Sequence, residues 1–173
     1  TKSAAQWAAK PLLPEEVTLV ATLDAGAHGG QFGYFEPDWK DVTKPWTWHP
    51  VSDNVGTQRF THGLGIGDVN GDGLMDIIEA KRWWEAPAKP AISNLKSQIS
   101  NWKSHTYNLT GGGAHMFAYY FNGDGRNDIA SSLQAHGYGV AWFESKAADP
   151  TLESQAAWQK RLIVGKEPWE NEY

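Results

Sequence analysis

The stretch GDVNGDGLMDIIEA, residues 67–80, decides how the rest of this chain is read. Counted from Asp68, oxygen-bearing side chains stand at positions 1, 3, 5, 9 and 12: Asp68, Asn70, Asp72, Asp76 and Glu79. Gly73 stands at position 6. Hard cations such as Ca2+ take six to eight oxygens, and a glycine there gives the backbone the φ > 0 turn that wraps it around an ion. The spacing matches D-x-[DN]-x-[DN]-G-x5-E, the loop of a helix–loop–helix calcium site.

The flanks speak against helices. Gly63, Gly65 and Gly67 precede the loop, and each costs about 1 kcal/mol in a helix interior relative to alanine. A second copy is sharper still. Tyr120-Phe-Asn-Gly-Asp-Gly-Arg-Asn-Asp128 aligns with residues 68–76, yet its position 12 is Ser131, so the bidentate carboxylate is missing. Both copies keep Asp at position 9, Asp76 and Asp128.

The loops sit inside a longer period. Trp46, Trp102 and Trp158 are 56 residues apart, and three residues after them come His49, His105 and Arg161. Between them recur the acidic loop and an aromatic pair with glutamate, Trp83-Trp84-Glu85 and Trp142-Phe143-Glu144. The ordered series, twice over, indicates duplication. Each unit reads as four short strands: the Trp-x-x-His segment, GLGIGDV or AHMFAYYF, DIIEA or DIASS, and WWE or VAWFE. VTLVATLD and GGQFGYFE are candidate strands upstream. ISNLKSQISNW, residues 92–102, has helical spacing and reads as a short helix or irregular crossing.

The period and the D-x-[DN]-x-D-G-x-x-D loop resemble FG-GAP/VCBS repeats, the calcium-loop repeats of integrin-like β-propellers. That resemblance implies an all-β fold of four-stranded antiparallel blades. It implies calcium ligands at positions 1, 3, 5 and 9 with the carbonyl at position 7: Asp68, Asn70, Asp72, Leu74 and Asp76 in the first loop. In the second they are Asn122, Asp124, Arg126 and Asp128, with Tyr120 in place of the first Asp. Such Ca2+ is structural, because a saturated cage leaves no open position. The expected organisation is a partial preceding blade over 1–45, blades over 46–101 and 102–157, and the start of a following blade over 158–173. Two full blades do not close a ring of four to eight, so further blades are expected from the same or other chains.

Composition narrows the class. The chain has 173 residues, no cysteine, ten Trp and 18 Gly, with a net charge of −5. Glycine-rich turns with many aromatics suit short strands. No apolar run is long enough for a membrane span, and no basic cluster is present for nucleic acid. Asn108-Leu-Thr110 is a formal glycosylation sequon. The resemblance implies an extracellular or periplasmic, secreted protein.

Residues that break the repeat are the candidates for function. His62 and His115 precede equivalent strands, and the inserted SLQAHGYGVAWFE adds Gln134, His136 and Tyr138. His62, His115, His136 and Tyr138 would supply acid/base groups or hold an additional divalent metal at a channel mouth. Trp83, Trp84, Trp142 and Gln134 would meet a sugar, the rings by stacking. The leading expectation is a calcium-stabilised module that binds carbohydrate or another small molecule. An alternative is a metal-assisted sugar lyase or isomerase, since GAHMFAYYF and LQAHGYGVAWFE loosely resemble segments of aldos-2-ulose dehydratase-type propellers. A third is a protein–protein scaffold.

Overall fold

The computed structural model describes residues 19–23 (backbone only), 30–57, 61–88, 102–107, 109, 113, 115–135, 137–146 and 157–165. Within these the fold is all-β, and no helix occurs among them. A three-stranded antiparallel sheet contains β1 (Leu19–Leu23), β2 (Gln31–Glu36) and β3 (Thr47–Pro50). An eight-stranded sheet holds the rest. Its first antiparallel meander is β4 (Leu64–Gly67), β5 (Asp76–Glu79), β6 (Arg82–Glu85) and β7 (Lys103–Thr106). Its second is β8 (His115–Tyr119), β9 (Asp128–Ser132), β10 (Val140–Ser145) and β11 (Trp158–Val164).

The two meanders join along one parallel seam, with Leu64 opposite His115, Gly65 opposite Met116 and Ile66 opposite Phe117. Glycine makes the seam possible. A Cβ at Gly65 would fall 1.8 Å from the Met116 carbonyl oxygen, and one at Gly67 would fall 2.5 Å from Ala118 Cβ. Any side chain there would push β8 away.

Packing follows the alternation of side chains along each strand. One face of the first meander, with Ile77 and Trp84 buried and Leu64 and Trp102 packed beside them, meets Phe32, Val51 and Tyr34 of the three-stranded sheet. Its other face, with Val69, Ile78, Trp83 and Tyr107, meets Met116, Ile129, Phe143 and Trp158 of the second meander. The first meander is therefore covered on both sides, and β5 is buried at all four residues. The Ile-Ile and Trp-Trp pairs are what a strand needs when neither face meets water.

All the strands expected from sequence lie where they were placed, but the sheet boundaries differ. The Trp-x-x-His strand closes the sheet before it: β3 pairs β2, β7 pairs β6 and β11 pairs β10. The spans 46–101 and 102–157 are thus periods of sequence, not of hydrogen bonding. Residues 158–164 finish the second meander instead of opening a further unit. Sequence order alone does not say which neighbour a strand bonds. The proposed helix over 92–102 lies outside the described residues, apart from Trp102.

Candidate functional site

The strand directions sort the candidate residues onto two ends of the eight-stranded sheet. The β4–β5 and β8–β9 turns, which carry the acidic loops, lie at one end. The starts of β4 and β8 and the β9–β10 connection lie at the other.

In the first loop Gly71 and Gly73 adopt φ of 80° and 88°, in open space where only backbone geometry demands glycine. Asp68 is the loop's organiser. Its Oδ1 accepts the N–H of Gly71 at 2.7 Å and of Asp72 at 3.1 Å, and its Oδ2 that of Gly73 at 2.9 Å. Asn70 Oδ1 accepts from Asp72 N, and Asp72 Oδ1 from Leu74 N. Asp76 is fully buried and staples three strand ends together: Val69 N and Ala86 N donate to its two oxygens, both at 2.8 Å. Burial pushes its carboxyl up to about 7, with Asp72 and Asp68 adding repulsion, against the pull of those two bonds.

The donor set fits a hard cation: three carboxylates, an amide oxygen and carbonyls, with no nitrogen or sulfur. The carboxylates are turned onto the loop's own N–H groups. Among the described residues no group of three or more His, Asp or Glu side chains converges as a finished cage. Apart from Asp68 Oδ1, which accepts two bonds, each of these carboxylate oxygens accepts one and keeps a further lone pair for an ion.

The second loop repeats the staple and changes the cage. Asp128 is fully buried and accepts from Phe121 N and Ser145 N, and burial again raises its carboxyl. Where Asp68 stands in the first loop there is Tyr120, half exposed. The Arg126 guanidinium pairs with Asp124 Oδ2 and donates to the Ser145 carbonyl. Asn122 Nδ2 donates to Asp124 and to Glu144. The Arg126 guanidinium thus lies against Asp124, one of this loop's candidate ligands. The loops also touch, Asn127 Nδ2 donating to the Asp68 carbonyl at 2.5 Å. The double variant Tyr120→Asp/Arg126→Leu is expected to add one bound Ca2+ per chain by titration calorimetry. Unchanged stoichiometry would mean that these two side chains do not keep calcium out.

At the opposite end, His115 opens β8 and is exposed, near Phe117 at 6.2 Å between ring centroids. His62 is half-buried and two residues ahead of Leu64, which lies beside His115 across the seam. The β9–β10 connection contributes Gln134, exposed, and Tyr138, 48% exposed. His136 lies outside the described residues, as do Asn108 and Thr110 of the sequon.

The aromatic candidates divide. Trp83 and Trp84 are 0% and 3% exposed, so neither ring offers a face to a sugar, and the expectation of stacking there is corrected. Both fill the core because their strand is covered on both faces, by the three-stranded sheet on one and by the second meander on the other. Trp142 is half-buried.

One recurring device went unread in the sequence. Tyr34 lies opposite His49, Trp83 opposite His105 and Trp142 opposite Arg161, each at the same place in its sheet. His49 stacks on Tyr34 at 4.8 Å and His105 on Trp83 at 4.3 Å. Each of these three side chains meets the glutamate two residues after that aromatic: His49–Glu36 at 2.8 Å, His105–Glu85 at 2.7 Å and Arg161–Glu144 at 2.7 Å. Lys146, with Arg161, holds the Glu144 carboxyl down to about 2. The signal was present: Tyr34-Phe35-Glu36 is a third copy of the aromatic pair with glutamate. Comparison with protein-family models, with curated proteins and with solved structures finds no match to this chain.

Proposed function

We propose that this chain is a calcium-stabilised, extracellular β-propeller module that binds carbohydrate at the sheet end bearing His62, His115, Gln134 and Tyr138. The observation that carries it is the division of labour between the two ends. Backbone-stapled acidic loops occupy one end, where an ion would tie turns together. Exposed hydrogen-bonding and aromatic side chains, His115, Gln134 and Tyr138, occupy the other, beside half-buried His62. Tyr138 presents an apolar ring with a polar tip, Gln134 both donor and acceptor, and His115 a titratable ring. That mixture suits the alternating C–H and O–H faces of a sugar.

The propeller reading is supported by three antiparallel units, the three-stranded sheet and the two meanders, packed face to face with the same device in each: an aromatic ring, a glutamate, and a histidine or arginine. It is also supported by the adjacent, parallel β4 and β8, as expected of innermost strands around an axis. The extracellular placement rests on ion supply: calcium sites of extracellular modules bind at roughly 10⁻⁴–10⁻³ M, which suits millimolar Ca2+ and not cytosolic levels.

A glycan array followed by titration calorimetry tests the binding site. Saccharide binding is expected, weakened at least about tenfold by Tyr138→Ala and by His115→Ala, each exposed enough to leave the fold intact. A folded chain that retains no glycan, or retains one equally in both variants, would sink the carbohydrate reading. Sugar turnover requiring an added transition metal would favour the lyase alternative.

A further inference from the structure

The second meander exposes the face that its predecessor buries. On the first meander, Val69 and Trp83 are 2% and 0% exposed, because the second meander covers them. The matching residues on the second are Phe121, 45% exposed, and half-buried Trp142, whose rings lie 6.0 Å apart. Tyr119, 58% exposed, extends the cluster at 5.7 Å from Phe121. This is a contiguous aromatic surface of the kind that marks an interface.

The chain itself specifies what such a face accepts. Both internal interfaces present it with the same set: an isoleucine on the second strand of the incoming meander, a large aromatic on its third and a tryptophan heading its fourth. These are Ile77, Trp84 and Trp102 in one case, and Ile129, Phe143 and Trp158 in the other. A third such set is present at the far end of the molecule. Leu19 lies opposite Phe35 as Ile77 lies opposite Trp84, and Trp46 heads the next strand, 37% exposed. Leu19, Phe35 and Trp46 thus stand at the register positions of the two sets already docked.

We propose that two copies of this chain associate head to tail, the Phe121/Trp142 face of each docking on the Phe35/Trp46 face of the other; this rests on the repeated-sheet reading above. The contact is heterologous, so it either closes or polymerises. The described residues of each chain form three antiparallel units, and two chains make six, within the range at which such rings close. Docking proceeds by side-chain packing and does not extend the eight-stranded sheet. β8 already pairs β9 on one edge and β4 on the other, so a third parallel strand has no edge of it to join.

Sedimentation equilibrium of the whole chain in calcium-containing buffer is the test, with folding checked by circular dichroism. A particle of twice the chain mass is expected. Phe121→Glu and Trp46→Glu, at exposed positions on opposite ends, are each expected to weaken the dimer by 100-fold or more. An equimolar mixture of the two variants recovers a dimer, since one of its two seams joins unaltered faces. A wild-type monomer at about 100 µM, variants that stay dimeric, or a mixture that stays monomeric would each overturn the proposal. Thermal melts of the same samples keep the two ideas apart. A monomer whose melting temperature still rises with calcium defeats the dimer alone, whereas a dimer indifferent to calcium defeats the calcium reading alone.

Discussion

Trp83→Ala lowers the melting temperature by roughly 10 °C, whereas Trp142→Ala at the matching position lowers it by only a few degrees. Trp83 is fully buried between the two meanders, in one cluster with Ile78, Met116 and Phe143, and its ring is stacked on His105. Removing a buried Trp costs about 3–5 kcal/mol through lost transfer energy and the cavity left behind. In a chain of this size each kcal/mol is worth about 2–4 °C. The loss spreads further, because the stack helps to seat His105 against Glu85. Trp142 has the same strand position, with Arg161 opposite it in place of a histidine, but its side of the meander is left half-exposed. Thermal unfolding followed by circular dichroism measures both, in dilute protein so that the monomer is compared with the monomer. Equal shifts would mean that the burial contrast between the meanders is wrong.

Removing calcium with a chelator is the second large effect. At a free concentration a hundred times the dissociation constant, a ligand bound only by the folded state stabilises it by about 2.7 kcal/mol, or roughly 5–10 °C here. The discriminating variant is Asp72→Ala. Its side chain bonds only within the loop, to Leu74 N and Asn70, so the metal-free fold loses little. Asp76→Ala would confuse the question by also deleting the staple on Val69 and Ala86. The wild type is expected to melt higher in calcium than in chelator, and Asp72→Ala to melt alike in both. A wild type that ignores calcium would end the structural-ion reading.

The strands were legible because each carries its own local evidence: Ile-Ile and Trp-Trp pairs for doubly covered positions, glycines where turns need positive φ. The sheet-to-sheet order was not. Whether the Trp46 strand bonds forward or backward depends on tertiary pairing, and its sequence is equally good for both. The acidic loop was legible as an oxygen-rich turn, and Tyr120 already marked the second loop as lacking the first carboxylate. What spacing alone hid was the Arg126 side chain folding back on Asp124, since a carbonyl donor position places no demand on its own side chain. The burial of Trp83 and Trp84 was hidden for a related reason. An aromatic pair on a strand looks the same whether the second face meets a sheet or a ligand.

The parallel seam between β4 and β8 has a kinetic meaning. Every other pairing in the eight-stranded sheet is antiparallel, and those within each acidic-loop hairpin close over a few residues. The seam joins positions 51 residues apart along the chain, from Leu64 to His115, and contacts that distant form late. It is also short, with three paired positions. The seam's hydrogen bonds should therefore be the first in the sheet to open and the last to close, while the core shared by the two meanders keeps them together. Amide exchange at Gly65 and Met116 would then run ahead of that at Ile78 and Ile129, although all four lie in one continuous sheet.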